Sequence, residues 1–262
     1  MKKCILFLLF FISAIAMVSG QTAGSKFERI SLGENHYTNS GIAVSPDGKY
    51  AAVSGTKHYP FFIYDWQNNT IVKEFNVGNW FAGSSVDYSQ NGSYILLQQL
   101  HYVDFAPNKD RETNFEIIDA NSGRTVKRFG DHHSVKISAD ESKAIALSGD
   151  VISIWDLPAG KKAGSFTVPE AANSISISPD GRHIAVSHRV SDNMAKQYPR
   201  LKNDRKARKH TTKYKQMISV YDAESYEKLF TIDSFFDIIY RLEYIQEGKG
   251  MLCLRPASSQ RE

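Results

Sequence analysis

From about residue 41 to residue 233 the chain alternates apolar and polar positions in short runs, each closed by turn-forming residues. Ile42-Ala43-Val44, Val86-Asp87-Tyr88, Val135-Lys136-Ile137 and Ile175-Ser176-Ile177 are all followed by turns of one kind. Ser45-Pro46-Asp47-Gly48 recurs as Ser178-Pro179-Asp180-Gly181, with weaker copies in Ser89-Gln90-Asn91-Gly92 and Ser138-Ala139-Asp140-Glu141. A second alternating run follows each turn, so each pair predicts an antiparallel hairpin. A third run ends in an aromatic or aliphatic residue and an aspartate: Tyr64-Asp65, Ile118-Asp119, Trp155-Asp156 and Tyr221-Asp222. A polar turn and a fourth run complete the unit, at residues 71–77, 125–129, 162–168 and 228–232. Helical periodicity is nearly absent. Four strands in a unit of ~40–45 residues, repeated, predict an all-β array of stacked sheets. Because the aspartates recur once per unit, they read as turn formers rather than catalytic acids.

The unit around Val151-Ile152-Ser153-Ile154-Trp155-Asp156 resembles a blade of the WD40-repeat-like or YVTN-like β-propeller family. The resemblance implies four-stranded antiparallel blades at about residues 38–78, 79–131, 132–169 and 170–233, with a partial fifth at 234–262. It also implies a structural tetrad in the third blade. Trp155 supplies the aromatic ring, Ser148 the second-strand hydroxyl, Asp150 the turn carboxylate, and His132 or His133 the loop imidazole. Two departures mark the chain as divergent: the family's Gly-His pair is replaced by Gly130-Asp131-His132-His133, and the other three units lack tryptophan before the aspartate. The resemblance speaks for a fold and not for a task, since propellers host many unrelated ones.

With four units and part of a fifth, the ring is incomplete on paper. Residues 27–32 read as an outer strand able to close it. Three arrangements are open: a small five-bladed ring, closure by a second copy, and a piece of a longer propeller. The last is favoured, because residues 255–262 carry no capping pattern. An open stack would present an apolar face and a free strand edge, both of which favour self-association.

The N-terminus reads as an address. Lys2 and Lys3 precede an apolar run at residues 5–18, broken only by Ser13, and Ser19-Gly20-Gln21 follows. This is the pattern of a signal peptide at residues 1–20, leaving a propeller domain at 21–262 that is exported to the periplasm or the extracellular space. Fourteen residues at ~1.5 Å each fall short of a ~30 Å hydrocarbon core, so no permanent span is expected. The composition of the 262 residues, 42% hydrophobic and 23% charged, excludes a disordered or multi-span chain. Only Cys4 and Cys253 are present, which excludes a disulfide scaffold.

Two insertions interrupt the repeat, both between a second and a third strand, so both are expected on one rim of the disc. Residues 101–113 mix aromatic and charged groups, with Tyr102 and Asp104 as candidate contacts. Residues 191–216 are strongly basic. Lys196, Arg200, Lys202, Arg205, Lys206, Arg208, Lys209, Lys213 and Lys215 stand against Asp192 and Asp204, giving +7 where the rest of the mature chain carries −5. Arg200, Lys202, Arg205, Lys206, Arg208 and Lys209 are the candidate binding residues of this segment. One reading is capture of an anionic ligand: a protein, an anionic glycan or a lipid head group. The plainer reading is a solvated loop whose charge keeps it soluble. Nucleic acid fits the charge and not the export signal.

Catalysis has little to rest on. No Gly-x-Ser-x-Gly elbow, phosphate loop or dinucleotide motif occurs, and no cofactor is expected. Cys253 falls in a strand, where a lone cysteine is usually a small apolar residue. His58, His101 and His188 each end a second strand, but metal ligation from three separate blades is not expected. The competing expectation, which the resemblance carries, is a propeller hydrolase or lactonase with a site in its central channel.

Overall fold

Each repeat folds as one four-stranded antiparallel sheet. In the computed structural model the described residues are 39–55, 61–75, 84–99, 102–103, 106–107, 115–245 and 248–254. The expected signal segment and residues 27–32 lie outside them. The first sheet is β1 (Asn39–Val44), β2 (Tyr50–Gly55), β3 (Phe61–Asp65) and β4 (Thr70–Phe75), in that order. The second runs β5 (Ser84–Tyr88), β6 (Tyr94–Gln99), β9 (Phe115–Asp119) and β10 (Thr125–Phe129), with a small hairpin of β7 (Tyr102–Val103) and β8 (Ala106–Pro107) between β6 and β9. The third is β11 (Ser134–Ile137), β12 (Lys143–Ser148), β13 (Val151–Asp156) and β14 (Lys161–Thr167). The fourth is β15 (Ala172–Ile177), β16 (His183–Arg189), β17 (Gln216–Asp222) and β18 (Lys228–Thr231). A two-stranded sheet, β19 (Arg241–Ile245) and β20 (Gly250–Leu254), follows.

The repeated turn has a repeated mechanism. The hydroxyls of Ser45, Ser138 and Ser178 donate to Asp47, Asp140 and Asp180 at 2.6, 2.6 and 2.5 Å. Each also accepts from the first backbone N–H of the next strand, that of Tyr50, Lys143 or His183, at 2.9 Å. These serine bonds hold the three carboxyls below the ordinary aspartate range. The aspartates that close the third strands accept from backbone N–H groups two or three residues on: Gln67 and Asn68 at Asp65, Asn121 and Ser122 at Asp119, Ala159 at Asp156, Glu224 and Ser225 at Asp222. They are Asx turns.

The core lies between sheets, not inside any one of them. Alternate residues of a strand face opposite neighbours, so both faces are apolar. On β12, Ile145 and Leu147 pack with Ile175, Ile184 and Val186 of the fourth sheet, while Ala144 and Ala146 pack with Phe115, Ile117 and Phe129 of the second. Phe61, Ile63, Ile95 and Leu97 join the first two sheets, and Ile218, Val220 and Leu242 join the fourth to the β19–β20 pair. The first strands β1 and β5, β11 and β15, and β15 and β19 are neighbours, which stacks the sheets in chain order about a common inner side.

One turn breaks the glycine pattern for a reason. Glu141 holds the left-handed backbone (φ +61°) that Gly48 (+71°) and Gly181 (+70°) hold elsewhere. Its carboxylate reaches into the second sheet and accepts from Asn91 N–H (2.8 Å) and Ser93 N–H (3.3 Å). Burial works to raise its pKa, but bonds from the Ser89 and Ser93 hydroxyls and from those two N–H groups outweigh it and hold it below the ordinary glutamate value. Its stabilisation is therefore full above the unfolded glutamate pKa and is lost as pH falls through the lower folded one. Glu141→Gln should cost about 1–2 kcal/mol in urea denaturation at pH 7, because charge-assisted bonds become neutral ones. An unchanged midpoint would show that this joint carries no load.

Candidate functional site

The basic insertion is not a loop. β16 ends at Arg189, Val190 turns inward, and Ser191 caps helix α1 (Asp192–Lys196) by accepting from Met194 N–H at 3.2 Å. Helix α2 (Pro199–Lys202) opens on a proline, where the missing N–H costs nothing. Asp204 caps helix α3 (Arg205–Tyr214) through Ala207 N–H at 2.8 Å. Val190, Ala195, Leu201 and Met217 are buried together beneath these helices, with Met194, Tyr198, Ala207 and Phe235 packed around them. The expectation of a solvated loop is thus corrected. Each helix is short and two carry their own N-cap. Their apolar residues anchor to the sheet singly, so no long amphipathic period is visible in the sequence. The connection from β18 to β19 braces the cap from the side. Tyr198 and Phe235 have ring centroids 4.7 Å apart, Lys215 pairs with Asp237 at 2.6 Å, and Gln216 takes Ile239 N–H at 2.9 Å.

The cap sorts its charges. Asp192 is engaged by Lys196 (2.5 Å) and Arg208 (2.9 Å), and Arg208 also donates to the Leu201 and Lys202 carbonyls. Asp204 is used as the helix cap and Asp237 holds Lys215. Arg200, Lys202, Arg205, Lys206, Lys209 and Lys213 are exposed, and none forms an ion pair among the described residues. Of the candidate binding residues, Arg208 is therefore a strut of the cap, and the other basic ones face solvent. Tyr102 lies on β7, and Asp104 lies outside the described residues.

Of the four tetrad residues, Trp155 makes its indole bond outside the set. Trp155 donates its indole N–H to Ser153 at 3.1 Å, two residues back on β13 and on the same side of the strand, so the nearer hydroxyl takes the bond. Ser153 in turn donates to the Ala146 carbonyl at 3.3 Å. His132 and Trp155 both meet the Phe129 ring edge-on. Ser148 ends β12, and Asp150 is exposed in the turn that follows. His188, at the end of β16, is 1% exposed, with Nδ1 2.8 Å from the Arg189 carbonyl and Nε2 2.7 Å from Ser219 Oγ. That serine–histidine pair has the contact of a nucleophile and its base, yet Ser219 is 0% exposed and no substrate reaches it. His58 and His101 lie outside the described residues. Cys253 packs from β20 toward Ile218 and Val220.

Sequence reasoning passed over one polar group. Asp87 of β5, Lys136 of β11 and Arg241 of β19 line a cleft of about 260 Å³ between the first strands. Glu243 pairs with Lys136 and accepts from Arg241 at 2.8 Å. Enclosure by these walls raises the Asp87 pKa, although Lys136 and Arg241 pull the other way. The signal was present: Asp87 and Lys136 are the polar centres of the triplets Val86-Asp87-Tyr88 and Val135-Lys136-Ile137. Ser134, Ser174 and Arg241, at or near the starts of β11, β15 and β19, line this cleft, and in the fourth sheet the start of β15 pairs with the end of β16 that leads into the cap.

Stacked four-stranded antiparallel sheets of this order define an all-β, β-propeller-like protein. Among solved structures the chain is similar to Kuenenia stuttgartiensis hydrazine synthase, at 14% identity and a TM-score of 0.51, over 82% of this chain and 54% of that one. The chain thus spans about half the length of that structure, and at this identity the likeness concerns the fold alone. No family model and no curated protein matches the sequence. Among the described residues no helix is long and apolar enough to cross a membrane, and no group of histidine, cysteine, aspartate and glutamate is placed to hold a metal.

Proposed function

We propose that the chain is an exported propeller-like binding module that takes an anionic partner on the α1–α3 cap. The export rests on the Lys2-Lys3 and residues 5–18 pattern. The observation that carries the binding is the sorting of charge. Every acid of the cap is engaged by an internal partner, while six cations stand exposed on a braced support. A surface charge kept solely for solubility has no need of a rigid platform, whereas a recognition surface does. The partner is a protein, an anionic glycan or a lipid head group.

Replacing Arg200, Lys202, Arg205, Lys206, Lys209 and Lys213 together by glutamine leaves the apolar underside and the caps intact. The expected result is loss of retention on a sulfated polysaccharide matrix at low salt, with an unchanged melting temperature. The parent chain should elute progressively earlier as salt rises, since exposed charge is screened within about 10 Å at 0.1 M. Equal retention of parent and variant would overturn the proposal.

A further inference from the structure

The six cations are not scattered. At 100° per residue, Arg205, Lys209 and Lys213 follow one another at steps of about 40° in a slanting stripe along α3, and Lys206 stands beside them within the same ~100° solvent face. Thr211 is buried on the opposite side and Ala207 and Arg208 are turned toward the cap interior, so the helix has one seated face and one cationic face. The line covers eight residue steps, about 12 Å at 1.5 Å per residue, with a positive charge every ~6 Å. Arg205 with Lys209, and Lys209 with Lys213, are like-charge neighbours at i,i+4, an arrangement that weakens a helix. The Asp204 cap and the Leu201–Met217 cluster seat α3 without help from Arg205 or Lys209.

Resting on the reading of the cap as an anion-binding surface, we infer that its ligand is a linear acidic polysaccharide lying along α3, with its charged groups in register with Arg205, Lys209 and Lys213. The aromatic groups at the C-terminal end of the line favour a sugar chain over the other anions. Tyr214 is 51% exposed and sits 5.1 Å from the His210 ring, with Lys213 Nζ 4.9 Å above its face. A half-exposed aromatic ring that carries a cation suits an acidic sugar, whose C–H groups can meet the ring while its anionic group meets the ammonium. A lipid surface calls for an apolar face to insert, and the solvent face of α3 is Arg205, Lys206, Lys209, His210 and Lys213. A single-stranded nucleic acid calls for successive stacking platforms, and α3 offers one tyrosine.

The test uses the full chain and a sulfated uronate oligosaccharide, with affinity measured by calorimetry across a salt series. Lys209→Glu/Lys213→Glu alters the line, and Arg200→Glu/Lys202→Glu makes the same change of charge on α2, away from it. The line variant should lose about 100-fold in affinity, with the slope of log K against log salt falling by about 2, while the α2 variant should stay within about threefold. Tyr214→Ala should lose about tenfold, the scale of one stacking contact. Equal losses in the two double variants would overturn the aligned chain and leave the anion-binding surface standing. No loss in either would overturn both. Tighter binding of oligothymidine, or of vesicles containing phosphatidylglycerol, than of the oligosaccharide would overturn the choice of polysaccharide. Melting curves of each variant keep the comparison to folded protein.

Discussion

Phe129→Ala is expected to destabilise the protein by about 3–5 kcal/mol, while Ser148→Ala and Asp150→Ala stay within about 0.5 kcal/mol. Phe129 ends β10 and is 1% exposed. Its ring meets His132 at 5.2 Å and Trp155 at 5.8 Å, both edge-on, and Lys127 Nζ lies 3.8 Å above the Trp155 ring. One side chain of the second sheet thus fixes the approach of the third, and its removal leaves a void lined by the His132 and Trp155 rings. Ser148 and Asp150 are partly or fully exposed at the β12–β13 turn, and the indole N–H is taken by Ser153. Urea midpoints of the three variants decide the matter. If Ser148→Ala or Asp150→Ala costs more than Phe129→Ala, a polar tetrad holds this blade, and the aromatic joint is secondary.

That contrast shows what the sequence revealed and where it fell silent. The sheets were legible because a hairpin repeats its chemistry. Serine and aspartate in Ser-x-Asp turns, and an aspartate after each third strand, impose the same backbone bonds each time, so the pattern survives in the letters. Joints between sheets leave no such trace. Phe129, Trp155 and His132 meet because of how two sheets face each other, and nothing local distinguishes Phe129 from any other strand-ending aromatic. Glu141 shows the same limit: as a departure from Ser-x-Asp-Gly it reads as decay, and only the neighbouring turn, fifty residues away in the chain, shows what its carboxylate does. The basic segment was legible as charge but not as structure. Two of its helices are nucleated by single side-chain caps, and apolar residues such as Ala195 and Leu201, each of which could sit in any loop, hold the segment down. The sign and place of the candidate surface came from composition, whereas its alignment along α3 needed the fold.

Acid should loosen the protein from beneath the cap, through His188. The Arg189 carbonyl only accepts, so Nδ1 carries the proton and Nε2 accepts from the Ser219 hydroxyl; Ser219 then accepts from Thr231, 2.8 Å away. A proton on Nε2 would require Ser219 to turn and donate to Thr231, and would place a charge in a site with 1% exposure. Burial therefore lowers the His188 pKa, and the bond to the Arg189 carbonyl only partly offsets it; burial lowers His132 as well. With the folded pKa below the unfolded value of 6.5, the folded chain binds fewer protons than the unfolded one between the two. The stabilisation is full above pH 6.5 and is lost as pH falls toward the folded value, at up to about 1.4 kcal/mol per pH unit for one histidine. His188→Ala should cost about 3 kcal/mol at pH 7.5, through the void and the stranded carbonyl. His188→Gln keeps a partner for Ser219 and does not titrate, so its melting temperature should start below that of the parent at pH 7.5 and cross above it on the way to pH 5. Parallel curves would show that His188 takes its proton at no cost. Because Arg189 and Val190 lead directly into α1, opening at His188 should release the helices first, with amide exchange in α1–α3 accelerating at acid pH before that of β12 or β13.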